Sequence, residues 1–151
     1  MPNKSSRGYQ ELIENSKVMI VATCDSDGPW SAPVYYVFKD HGFYFFSNPD
    51  ARHIKMSENQ VSSASIFRDD PCFSNLQGIQ MSGNIQKASL DAKALAIAKK
   101  YCRRFKIQAK DVGILDFFSL KFHASLYRFE PDIIYYMDNT RGFGNRERIT
   151  L

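Results

Sequence analysis

Four consecutive aromatic residues, Phe43-Tyr44-Phe45-Phe46, limit what this chain can fold into more than any other feature. The run has high strand propensity and no breaker, which predicts a buried strand. Ser47-Asn48-Pro49 ends it. Asn48 is a good N-cap and Pro49 suits a first helical position, so a short helix is expected from about residue 50. Arg52, His53 and Lys55 fall in its first two turns, near unpaired backbone N–H groups and the positive end of the helix dipole. With Ser47 and Asn48 they form a candidate site for a small anion such as a phosphate. The same spacing also describes an exposed helix with solvated basic side chains.

At 151 residues the chain is expected to form one domain, spanning residues 1–151, with a substantial core. A hydrophobic share of 44% with 24% charged residues is ordinary for a soluble globule, and 14% aromatic content favours sheets. No apolar run is long enough to span a bilayer and the start is polar, so the expected location is the cytoplasm. Cys24, Cys72 and Cys102 have neither metal-ligand nor disulfide-framework spacing and read as reduced packing residues. The net charge of +4 invites a nucleic-acid reading. Lys93, Lys99, Lys100, Arg103, Arg104, Lys106 and Lys110 form a run without acids, which describes a phosphate-backbone patch or, the reading favoured here, the wet face of one amphipathic helix.

In chain order, the periodicity predicts a helix over 7–16, a two-sided apolar strand over 18–24, a turn at 25–28 and a strand over 30–38. With the aromatic strand these make a three-strand meander. A fourth strand is expected over 61–67 and a fifth over 79–87. The fifth sets Ile79, Met81 and Ile85 on one face against Gln80, Ser82, Asn84 and Gln86 on the other, and a wholly polar face must meet solvent or a polar ligand. A long helix over 90–105 carries the stripe Leu90, Ala94, Ile97, Tyr101 and Phe105. A shorter helix over 109–118 and a sixth strand over 122–129 follow, with Pro131 as an interruption, an extended piece over 133–137 and an irregular tail. This order suggests a mainly β fold, an antiparallel barrel with helices packed at its openings.

His41, His53 and His123 make no metal-binding spacing, and Ser82-Gly83 lacks a nucleophile-elbow pattern. Neither a Walker loop nor a dinucleotide fingerprint is present. Side chains alone therefore offer little catalysis, and redox or group-transfer activity would need a bound cofactor.

Several segments resemble one family, the FMN-binding split-barrel proteins related to pyridoxamine 5′-phosphate oxidase, in its small uncharacterised bacterial, YhbP-like branch. They are Ser31-Ala-Pro-Val-Tyr-Tyr-Val-Phe38, Phe43-Tyr-Phe-Phe-Ser-Asn48 with Arg52-His53 and Lys55-Met-Ser57, Gly78-Ile-Gln-Met-Ser-Gly83, Tyr101 with Arg103-Arg-Phe105, and Asp138-Asn-Thr-Arg-Gly-Phe-Gly144. The resemblance implies a six-stranded antiparallel split β-barrel, a homodimer, and FMN as cofactor in the grooves between subunits. It assigns the FMN phosphate to Ser47, Arg52 and Lys55, with Asn48 and His53 as neighbours. Pro33, Val34 and Tyr35 would run along the isoalloxazine, Gln80 and Ser82 would reach the ring or ribityl chain, and Asn139, Arg141 and Phe143 would cross to the partner and close the pocket. The family's C-terminal arginine-x-histidine motif is replaced by Arg146-Glu147-Arg148, so oxidation of pyridoxamine phosphate is not expected. The implied function is an FMN-dependent oxidoreductase of unknown substrate. The alternatives are a non-catalytic flavin or haem sensor or carrier, and a nucleic-acid-binding barrel.

Overall fold

The structure, a computed structural model, describes residues 4–109 and 113–151. Its elements run α1 (Lys4–Asn15), β1 (Val18–Asp25), β2 (Gly28–Tyr35), β3 (Val37–Lys39), β4 (Gly42–Ser47), α2 (Arg52–Ser57), β5 (Ser62–Arg68), β6 (Gln77–Lys87), α3 (Ala92–Phe105), α4 (Ile114–Phe122), β7 (Ser125–Asp138) and β8 (Arg146–Arg148). Short 3₁₀ turns occupy Phe73–Asn75 and Asn139–Arg141.

The strands form one antiparallel sheet in the order β2-β1-β5-β6-β7-β4-β3, with β8 paired to β7. β2 and β3 stand at opposite ends of that order, yet only Tyr36 separates them in the chain. One residue cannot cross an open sheet of seven strands. The sheet therefore curls until its two ends meet, which makes the molecule a mainly β split barrel. Tyr36 is the joint: its ring is fully buried, its hydroxyl donates to the Ile13 carbonyl at 2.7 Å and its amide to the Lys17 carbonyl at 3.1 Å. Burial pushes this phenol's pKa far above its ordinary value, so it stays a neutral donor.

The same joint corrects two expectations. The residues expected as a single strand over 30–38 form two strands, and the three-strand meander does not exist, because β4 pairs with β3 and β7 while β2 pairs with β1. Eight strands are present among the described residues, two more than expected.

Two cores share β4. Phe43 and Phe45 point into the barrel with Met19, Val21, Ile66, Ile79, Phe129 and Tyr136, and α1 closes that core with Leu12 and Ile13. Tyr44 points the other way, with Val37 and Leu126, under Ala94, Ile97 and Tyr101 of α3 and Phe117 and Phe118 of α4. Phe46 stacks on Phe118 at 3.7 Å between ring centroids and meets Tyr101 edge-on at 5.1 Å. An unbroken aromatic run is what a strand covered on both sides demands.

α3 begins two residues later than expected, because Asp91 caps it by accepting from the Ala94 amide at 2.9 Å. Leu90 therefore lies outside the helix and is exposed. The short helix spans Ile114–Phe122 rather than 109–118; positions 110–112 of the expected helix, Lys110 among them, lie outside the described residues. Pro131 does not interrupt the last long strand. β7 runs continuously because the register shifts between Ser82 and Gly83, with Gly83 opposite Pro131 and Ser82 opposite Ile133. A Cβ on Gly83 would sit 2.0 Å from the Glu130 carbonyl oxygen, so the bulge admits glycine alone.

Two outcomes follow for stability. Gly83→Ala is expected to lower unfolding free energy by about 2 kcal/mol or more, through overpacking against fixed backbone, as read by denaturant titration. Phe118→Ala removes the ring stacked on Phe46 and is expected to cost about 3–5 kcal/mol; a loss below about 1 kcal/mol would mean that α4 does not seal β4.

Candidate functional site

The turn after β4 builds its own geometry. The Asn48 carboxamide oxygen accepts from the Asp50 amide at 2.7 Å, and the Ala51 amide donates to the Asn48 carbonyl at 3.0 Å. Asn48 thus shapes the approach and is not the N-cap. Ala51 holds that place without a side-chain cap, and Ile54 and Lys55 donate to its carbonyl. α2 is six residues long, so its dipole adds little. The polar groups it offers are therefore those of its side chains.

Ser47 Oγ and His53 Nε2 lie 2.9 Å apart and both are half-buried. Burial holds the His53 pKa below its ordinary 6.5, so the ring is neutral at pH 7. Lys55 pairs with Asp50 at 3.0 Å, and His123, beyond the end of α4, lies 3.8 Å from the other carboxylate oxygen. The Lys55 hydrogen bond is the main reason that the Asp50 carboxyl stays below its usual range. Arg52 lies over the Trp30 ring with its guanidinium carbon 4.6 Å from the centroid, and its Nε donates to Met56 Sδ at 3.4 Å. Its two terminal nitrogens have no hydrogen-bond partner among the described residues. Ser47, Arg52, His53 and Lys55 therefore do come together at one end of the barrel, where α2 packs against β1 and β2.

The other expected residues fall elsewhere. Pro33 and Tyr35 are exposed on β2, whereas the Val34 side chain is buried in the barrel core. β2 ends the hydrogen-bonded order, so one edge of its backbone, around Pro33 to Tyr35, is not hydrogen-bonded to another described strand. Tyr35 lines a cavity of about 440 Å³ with Lys17, Tyr101, Arg104 and Phe105. Gln80 and Ser82 face outward on the sheet. Gln80 and Pro33 share one cross-strand row through Ser65 and Ile20, three strand spacings or about 14 Å apart.

The tail is more ordered than expected, with the turn at Asn139–Arg141 and the strand β8. Asn139 is buried and internally engaged: its amide nitrogen donates to the Phe73 carbonyl at 2.9 Å and its oxygen accepts from the Gly144 amide at 3.1 Å. Arg141 pairs with Glu147 at 3.1 Å. Phe143 is 86% exposed and meets Phe73 edge-on at 6.3 Å.

Trp30, Asp50, Met56, Phe73 and His123 were not among the site residues expected from the sequence. Trp30 carries a signal in hindsight, since it is the chain's single tryptophan and sits beside a polar turn. Asp50 lies five positions before Lys55, outside the usual helical pair spacing, so nothing linked the two. Of the basic run, Lys93 pairs with Asp40 at 3.2 Å, Lys100 donates to the Phe38 carbonyl at 2.7 Å, and Arg104 donates to the Glu14 and Ser16 carbonyls. These three tie α3 to the β3–β4 turn and to the end of α1. Among the described residues no His, Cys, Asp or Glu cluster suits a metal, and no helix is long and apolar enough to cross a membrane.

The family model described as pyridoxamine 5′-phosphate oxidase matches residues 6–130. A UPF0306 protein of Klebsiella pneumoniae is 28% identical over 136 residues, covering 87% of this chain and 84% of that protein. The UPF0306 protein YhbP of Escherichia coli O157:H7 is 28% identical over 120 residues, covering 78% of this chain and 74% of that protein. Among solved structures, a heme binding protein from Mycobacterium smegmatis superposes with a TM-score of 0.71 at 12% identity, over 99% of this chain and 59% of that one. The chain thus spans little more than half of that larger protein. HutZ, the heme storage protein from Vibrio cholerae, superposes with a TM-score of 0.63 at 17% identity, over 83% of this chain and 89% of that one. At such identities the likeness speaks to the fold. Because the family model covers most of its residues, this chain belongs to the pyridoxamine 5′-phosphate oxidase family, in the YhbP-like branch.

Proposed function

We propose that this protein binds FMN in a homodimer and acts as a flavin-dependent oxidoreductase on a substrate other than pyridoxamine phosphate. The observation that carries the reading is the donor set beside α2: the unpartnered terminal nitrogens of Arg52, with Lys55 and the Ser47–His53 pair alongside. Guanidinium, ammonium, hydroxyl and imidazole groups suit a phosphate. Asp50 is exposed and its pair with Lys55 is of the weak surface kind, so a phosphate displaces it readily.

Arg52, Lys55 and Ser47 hold the phosphate, with His53 and Asn48 beside them. The open backbone edge of β2 at Pro33, Val34 and Tyr35 suits the polar rim of a flat heteroaromatic ring, Val34 contributing backbone only. When bound, FMN supplies one- and two-electron redox chemistry, while the chain binds and orients it.

The separation of Gln80 and Ser82 from β2 supports a site shared between two copies. The outward sheet face exposes Tyr35, Phe67, Ile133 and Tyr135 beside small and polar residues such as Ser65 and Gln80. Apolar surface of this kind suits a partner. A second copy laid on that face brings its own Gln80, Ser82, Arg141 and Phe143 to the groove at β2. The missing histidine in Arg146-Glu147-Arg148 argues against pyridoxamine phosphate as substrate.

A haem-binding carrier or sensor is the second reading, favoured by the roles named for two proteins of the same fold. Titration separates the two. Arg52→Ala with Lys55→Ala is expected to weaken FMN binding about a hundredfold, from roughly 1.5 kcal/mol for each charge-assisted hydrogen bond, and to leave riboflavin binding unchanged. Unchanged FMN affinity, or tight haemin binding indifferent to both substitutions, contradicts the flavin reading. Light scattering is expected to give twice the chain mass, and Tyr135→Glu to yield monomers that lose FMN. A monomer with full FMN affinity contradicts the shared site.

A further inference from the structure

We infer that Trp30 is a positioning residue, one that holds the Arg52 guanidinium in its phosphate-binding pose and so sets the preference for phosphorylated over unphosphorylated flavin. This inference rests on the FMN reading above.

Four side chains form a closed ring of contacts. Trp30 on β2 is directly opposite Thr23 on β1. The buried Thr23 hydroxyl lies 3.8 Å from Met56 Sδ, and the same sulfur accepts from Arg52 Nε at 3.4 Å. Arg52 closes the ring by lying over the indole at 4.6 Å. Trp30 itself remains 44% exposed, so the barrel core does not account for an indole at this position. What it does account for is the arginine.

An exposed arginine normally samples many rotamers, and fixing it on binding costs conformational entropy. Here the indole face and the sulfur restrain it before any ligand arrives. A cation resting on an aromatic face uses its own flat face for that contact, which leaves the terminal N–H groups at its rim for an oxyanion. Lys55 has no such support. It is a flexible ammonium drawn to the exposed Asp50. Arg52 is therefore the pre-set half of the anion site and Lys55 the adjustable half.

The test measures dissociation constants for FMN and for riboflavin by quenching of flavin fluorescence, and reads their ratio. In Trp30→Ala the preference for FMN is expected to fall about threefold to thirtyfold, the range of one cation–π contact, with riboflavin affinity unchanged. Trp30→Phe, which keeps an aromatic face, is expected to retain most of the preference. In an Arg52→Ala background, Trp30→Ala is expected to change nothing further, because its effect passes through that guanidinium. Melting temperatures of the variants establish folding, and Trp30→Phe carries the comparison if the alanine variant does not fold. An unchanged ratio in Trp30→Ala, where Arg52→Ala lowers it, overturns the role of Trp30 and leaves the FMN reading standing. Equal weakening of FMN and riboflavin assigns Trp30 to packing and also overturns it. A ratio that Arg52→Ala itself leaves untouched removes the FMN phosphate reading and the Trp30 assignment together.

Discussion

The structure depends on burying both faces of β4. Phe43 and Phe45 fill the barrel, while Tyr44 and Phe46 meet α3 and α4 outside it. Neither layer can form without the other, because each would leave two aromatic rings of one short strand in water. Each fully buried aromatic side chain contributes on the order of 2–3 kcal/mol of transfer free energy; Phe43, Tyr44 and Phe45 are buried and Phe46 is partly so, which constrains this strand heavily. The turn bearing Ser47 and Asn48 leaves directly from its end. The residues of the proposed anion site thus follow a strand packed on both faces, a firm base for a recognition loop.

Tyr36 supplies the second constraint. A single residue links strands at the two ends of the sheet order, and its fully buried ring and its bond to Ile13 fix α1 at the Lys17 end of β1, away from the Thr23 end where α2 packs. Arg104 reinforces this corner by donating to the carbonyls of Glu14 and Ser16 at the end of α1. Closure leaves one backbone edge of β2 without a hydrogen-bonded strand among the described residues, and on the outward face of the sheet Ser63, Phe67 and Gln80 are exposed. The proposed flavin groove and the proposed dimer contact draw on these two features.

Much of the fold was legible in the residues and some of it was not. Strand and helix positions followed from periodicity and breakers, and α1, β1, β5, β6 and α3 lie within a few residues of expectation. The link at Tyr36 was invisible because a one-residue break between β-branched and aromatic residues leaves local propensity untouched; only the pairing of β3 with β4 and of β2 with β1 reveals it. Pro131 misled because its cost is removed by a register shift on the neighbouring strand, at Gly83, which is remote in sequence. At the site, the charges of Arg52 and Lys55 were plain, but Asn48 proved a turn former, and the Val34 side chain went to the core by strand alternation. Trp30 escaped notice because a stacking contact between β2 and α2 has no sequence spacing.

The central claim is that this barrel carries flavin at an anion site by α2, completed across a two-fold partner. The visible absorption spectrum of the purified protein, recorded on the size-exclusion peak after incubation with FMN and removal of the excess, tests it most directly. The account expects oxidised-flavin bands on a dimer with one FMN per chain. A colourless peak, or a Soret band acquired from haem in preference to flavin, would contradict it.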